Sequence, residues 1–133
     1  MSGGMTLGIC KGYKAGAAVT AYRAVKFSGN VGDTVIHTAA LGDQPLGVAL
    51  ESATAGDVTN GRIINVCHTG IVMVRASGVM ATIGISVSAD AAGRAVASGA
   101  TLNPRLGVLL TPAAALDDLV AVLLSIGAAS AAS

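Results

Sequence analysis

Apolar residues come along this chain in short runs that turn signals keep interrupting. The runs at 34–37, 46–50, 62–68, 70–75, 79–81, 85–88, 106–110 and 119–125 are too short for helices and rich in β-branched residues. Between them stand Ser28-Gly29-Asn30, Gly32-Asp33, Gly42-Asp43, Gly56-Asp57, Asn60-Gly61, Ser77-Gly78, Gly93 and Ser98-Gly99. Such punctuation predicts many short strands and leaves little room for helices. An earlier strand is predicted past Val19, where Tyr22, Ala24 and Lys26 alternate with Arg23, Val25 and Phe27. Helix is conceivable only at 89–97 and 112–118, where Ala is frequent, and at most one short helix is expected there. Gly70, inside an apolar pattern, predicts a bend across a sandwich or a break between hairpin strands.

One phrase occurs twice. Leu46-Gly47-Val48 and Leu106-Gly107-Val108 stand 60 residues apart, each after an Ala/Gly/Asp-rich stretch and before an Ala/Thr-rich loop. These six residues mark two related β units. The expected fold is all-β: a single-domain sandwich or small barrel of short antiparallel strands at 18–126. An extended N-terminal arm at 1–17 precedes it, and a frayed tail at 127–133 follows.

Composition narrows the function. The 133 residues are 53% hydrophobic, with one Phe, two Tyr and no Trp, and an Ala-rich core yields little stabilisation per residue. Only 11% are charged, about half the usual share, which implies surface covered by neighbouring subunits. A formal charge of +1 with scattered basic residues is no footprint for nucleic acid, and stacking aromatics are scarce. The segment 119–126 is too short to span a membrane, and Met1–Met5 lacks the pattern of a secretory signal, so no membrane partner is expected. Cys10 and Cys67 form no C-x-x-C pair and no disulfide framework, pointing to a reduced compartment at synthesis.

No motif carries catalysis. Cys67 and His68 are adjacent in a strand and point to opposite faces. Cys10, Cys67, His37 and His68 lack metal-ligand spacing, so no metal or other cofactor is expected. Gly84-Ile85-Ser86-Val87-Ser88 misses the second Gly of a nucleophile elbow, and Gly8-Ile9-Cys10-Lys11-Gly12 misses the phosphate-loop spacing. Asp33, Asp43 and Asp57 after Gly are turn residues rather than calcium ligands. The chain reads as a non-enzymatic structural protein.

The order Ala21-Tyr22-Arg23-Ala24-Val25, Gly32-Asp33, Pro45-Leu46-Gly47-Val48-Ala49-Leu50, Ala55-Gly56-Asp57-Val58 and Val66 to Val74 resembles the capsid decoration, or cement, proteins of tailed bacteriophages. Gly107-Val108-Leu109-Leu110 followed by Leu119-Val120-Ala121-Val122 is similar to that family's closing strands, although Ile83-Gly84-Ile85-Ser86 stands where a Gly-Asp turn is usual. The resemblance implies a virion protein made in the host cytoplasm. It would bind the major capsid protein on the outer surface of an icosahedral head as a homotrimer at three-fold or quasi-three-fold positions. Its work would be to cement neighbouring subunits of the expanded shell against internal DNA pressure. Lys11, Tyr13 and Lys14 of the arm are the expected capsid contacts, so deleting residues 2–14 should abolish binding and spare the trimer. The alternative is a head-surface binding module, either a fibre base or a β-sandwich holding host glycans.

Overall fold

The computed structural model describes residues 6–29, 31–98 and 103–127. The first five residues of the expected arm, the turn residues Asn30 and Gly99, and the expected tail past Gly127 lie outside them. Among the described residues the elements are β1 (Thr6–Leu7), β2 (Cys10–Ala15), β3 (Ala24–Ser28), β4 (Val31–His37), β5 (Gly47–Ala49), α1 (Ala55–Thr59), β6 (Ile63–Cys67), β7 (Gly70–Arg75), β8 (Ser86–Ala89), β9 (Ala95–Ala97), β10 (Arg105–Leu109) and β11 (Leu119–Gly127). The fold is all-β. Five strands close a small barrel in the order β2-β4-β3-β5-β6, and the rest form a six-stranded sheet in the order β1-β7-β11-β10-β8-β9.

The doubled phrase is the trace of a doubled structure. Matching β2 to β7, β3 to β8, β4 to β9, β5 to β10 and β6 to β11 gives both units one strand order. The registers agree residue by residue: Cys10↔Cys67, Gly12↔Asn65 and Lys14↔Ile63 in the first unit match Ile71↔Leu123, Met73↔Ala121 and Arg75↔Leu119 in the second. The isolated bridges Val19↔Ala53 and Met80↔Ala113 also match. Left-handed backbone recurs at the same places, at Tyr22 (φ 66°) and Gly84 (φ 84°), then at Gly61 (φ 72°) and Asp117 (φ 67°).

Gly47 and Gly107 show why the phrase repeats. A Cβ on Gly47 would run into the Cys67 carbonyl oxygen and one on Gly107 into the Leu123 carbonyl oxygen, so the facing strand passes too close for any side chain. In both units the next residue but one, Ala49 or Leu109, is wholly buried on the inner face.

The units differ in closure. In the first, β2 and β4 pair in parallel through Lys14↔Thr34 and Ala15↔Val35, closing the barrel around Tyr13, Val25, Val35, Ile64 and Val66. In the second, among the described residues, the corresponding contact is the single parallel bridge Ala76↔Ala95, with Ala76 just past β7. The opening is filled by the first unit, since Ala24, Val48 and Cys67, on the outer face of its barrel, are fully buried in one cluster with Val72, Val74, Val87, Leu106 and Val122. The Ala24 N–H donates to the Gly93 carbonyl (2.7 Å) and the Arg75 N–H to the Tyr22 carbonyl (2.8 Å), tying the seam.

Four expectations change. The single helix is α1, with Thr54 and Asp57 forming a capping box; 95–97 is a strand and 112–118 holds a bridge and turns, because Ala propensity yields to sheet pairing. The expected arm is built into the fold over its described residues: β1 adds to the edge of β7, and β2 is a barrel strand. Cys10 and Cys67 are joined as a disulfide, correcting their reading as unlinked thiols of a reduced compartment. Their separation of 57 residues hides the pair, which the β2–β6 register sets face to face. Gly70 (φ 101°) makes no hairpin, since β6 and β7 do not pair, and the chain there crosses from barrel to sheet.

Candidate interaction face

Strand β11 contains Leu119-Val120-Ala121-Val122-Leu123-Leu124, apolar without alternation, so both faces of the strand are oily. Pleating sends Val120, Val122 and Leu124 into the core and Leu119, Ala121 and Leu123 to the other side. The register then assembles a face. Leu123 stands between Ile71 and Val108, and Ala121 between Met73 and Leu110, whose N–H donates to the Ala121 carbonyl (2.8 Å). Leu119 is 44% exposed, Leu123 42% and Leu110 37%. This outer surface of β7, β11 and β10 is apolar from Leu123 to Leu119, with Leu119, Leu123 and Leu110 exposed and Arg75 standing beside Leu119 at its end.

The matching face of the first unit is the internal reference. Its rows read Cys10, Cys67, Val48; then Gly12, Asn65, Leu50; then Lys14, Ile63. Where this face meets water it carries Gly12, Asn65 and Lys14 with a single exposed Ile63, and at Cys67 and Val48 the second unit covers it. The fold therefore does not demand an oily exterior at these positions.

The charges of the second unit are turned inward. Arg75 Nε donates to the Ala21 carbonyl (3.1 Å), Arg105 to the Ser125 carbonyl and hydroxyl, and Asp118 accepts the N–H groups of Ala114 and Ala115. Asp90 accepts from the N–H groups of Ala92 and Arg94, and Arg94 forks onto both oxygens of Asp117 (2.7 and 3.4 Å). That Arg94 hydrogen bond holds the Asp117 carboxyl below the usual carboxylate range. Arg23 reaches Asp117 across the seam (3.8 Å), and desolvation together with the Arg94 charge lowers its own pKa.

The expected arm contacts separate. Tyr13 is 5% exposed inside the barrel, its hydroxyl 2.9 Å from His68 Nε2 and its ring edge-on to Phe27, which withdraws it from any contact surface. Lys11 lies over that ring, its Nζ 5.2 Å from the centroid, and Lys14 is on the opposite face, 3.9 Å from Asp33 in an exposed pair. Removing residues 2–14 would take out most of β2 and open the barrel, so that deletion cannot test binding alone. Of the signature residues, Val48 and Leu106 are fully buried, Gly47 and Gly107 are close-approach points, Leu46 packs on the barrel core, and Val108 belongs to the apolar face. His68, with Nδ1 2.9 Å from the Leu46 carbonyl and Nε2 on Tyr13, is a structural latch.

The sequence matches no family profile and no curated protein. Among solved structures, the fold is similar to the crystal structure of the N base of head fibre gp8.5 of bacteriophage phi29. The TM-score is 0.67 at 21% identity, covering 88% of this chain and 93% of that one. The likeness runs through both units, and at that identity it is a likeness of fold.

Proposed function

We propose that this chain is a structural protein of a tailed-phage head, a base module seated on the outer surface of the icosahedral shell, with no catalytic or cofactor chemistry of its own. The observation that carries the reading is the match in fold, over nearly the whole of both chains, to a head fibre base. The exposed apolar face and the low charge support it, because both belong to a subunit that works while covered by others. The fibre-base form of the reading stands ahead of glycan binding, since Tyr13, one of the two tyrosines, is buried in the barrel.

In its finer form the partner is the major capsid protein and the unit on the shell is a homotrimer at three-fold or quasi-three-fold positions. Cementing then follows from attachment: a base bridging neighbouring capsid subunits adds contacts that must break before the shell opens, and many weak copies act together. Synthesis would take place in the host cytoplasm.

Co-sedimentation with expanded capsids lacking this protein tests the reading. Saturable binding in multiples of three copies is the expected result, and heads so loaded should resist heat-induced opening. Protein left in the supernatant at every ratio would overturn it.

A further inference from the structure

The first unit already displays how this fold docks. Its outer face is apolar at Ala24, Val48 and Cys67, and there it is sealed against another unit of the same fold. The second unit offers the structurally equivalent face, with Leu123 where the first has Cys67, Val108 where it has Val48, and Met73 where it has Gly12. Among the described residues, Leu119, Leu123 and Leu110 stay exposed on this face.

We propose that the outer face of β7, β11 and β10 is where a second copy of this chain docks. The proposal rests on the head-protein reading only for its setting, and names a partner for one face.

Three observations favour a copy of the same chain over a different partner. The same face of the duplicated unit takes a unit of this fold as its partner, so the surface chemistry is suited to it. The second unit's charged side chains all bond within the chain, Arg75 at the Leu119 end of the face among them, so a charged partner surface would lose its water for no compensating pair. The notch of the second unit is already filled by Ala24 and Val48, and the first unit closes its own through Lys14↔Thr34 and Ala15↔Val35. A second copy therefore meets the face from outside, sheet against sheet, with side chains interdigitating roughly 10 Å between backbones. Three strands spaced by about 4.8 Å and roughly 20–30 Å long give a face near 400 Å². That is about half of a standard interface per partner, which places association in a weak, concentration-dependent range.

Sedimentation equilibrium of the full chain from micromolar to millimolar concentration, together with Leu119→Lys and Leu123→Lys, tests the proposal. Both sites are exposed, so circular dichroism and thermal midpoint should match the parent, and Leu123→Asn replaces the lysine variant should it not fold. The parent should self-associate, and each variant should weaken the assembly by about a hundredfold. Ile63→Lys, the counterpart of Leu119 in the first unit, should leave it unchanged. A parent that stays monomeric throughout, or variants that associate like the parent, would overturn the proposal. Binding of the same proteins to bare capsids is scored separately: a parent that stays monomeric yet binds the shell breaks only this inference, and a parent that self-associates without binding the shell breaks only the head reading.

Discussion

In the first unit β2 and β4 close the barrel with a two-residue parallel ladder, whereas in the second, among the described residues, Ala76 just past β7 meets β9 at a single bridge to Ala95. The difference decides what each copy of the same architecture can do. A closed barrel satisfies its own core and can lend its outer face, as Ala24, Val48 and Cys67 do; an open one must borrow, and takes those residues into its interior. Lender and borrower then part in surface chemistry. The lender keeps Lys11, Lys14, Asp33 and Asp57 toward water, while the borrower spends its charges on its own backbone and seam and presents Leu119 and Leu123. The duplicated architecture thus uses one unit to complete the molecule and leaves the other with an apolar outer face.

The largest test of this comparison removes the one covalent difference between the units. The Cys10–Cys67 bond stands where the second unit has Ile71 and Leu123, so reduction should leave the ladder in place and cost stability through the freed chain. Loop-closure entropy for a bridge of this span gives about 4 kcal/mol, read as the shift in urea midpoint with and without reductant. Midpoints that coincide would mean the bond restrains nothing that the ladder does not.

Next in size is the shared close approach. Gly47→Ala and Gly107→Ala each drive a methyl group into a facing carbonyl, and each should destabilise by about 3 kcal/mol in chemical denaturation. Similar losses sustain the equivalence of the units; a loss at only one would break it. Gly84→Ala isolates the backbone term, because nothing lies within 4 Å of the added Cβ and only the positive φ is strained. A loss of about 1 kcal/mol is expected, the same order of strain that the first unit bears at Tyr22.

The smallest effect follows pH. Burial and the Arg23 charge hold the His37 pKa below its ordinary value, and its Nε2 accepts the Thr20 N–H at 3.0 Å, so the folded state favours the neutral ring. The unfolded chain binds that proton more readily, so stability is full above the ordinary histidine value and declines as pH falls from it through the lowered one. The thermal midpoint should decline modestly there, and His37→Gln should flatten the decline. Asp43, held low by its Lys26 and Ala39 hydrogen bonds, and Asp117, held low by Arg94, add a second decline below the usual carboxylate value. An unchanged profile in the histidine variant would remove His37 from the seam's energetics.

The strand-and-turn reading was legible because most runs carry their own period: 70–75 matches β7, and 62–68 and 106–110 overlap β6 and β10 closely. The repeated Leu-Gly-Val exposed the duplication itself, since a glycine forced by a facing carbonyl cannot drift freely. What the sequence hid was long-range. Strand β2 reads Cys-Lys-Gly-Tyr-Lys-Ala and buries only Tyr13 and Ala15, too little period to separate a barrel strand from a free arm. The disulfide and the filling of one unit by the other depend on register across the molecule, which local pattern does not encode. The apolar face did leave a mark, in the unbroken run at 119–124, which holds more oil than one core face needs.

The cross-strand disulfide also sets a path for mechanical load. Tension arriving from the N-terminal side meets the Thr6↔Ile71 and Leu7↔Gly70 pairs first, and so short a ladder peels readily. At Cys10 the pull transfers through sulfur to Cys67 and on toward Gly70, bypassing residues 11–66. The barrel thereby sits in a covalent loop shielded from tension, and the load passes on into β7 and the second unit.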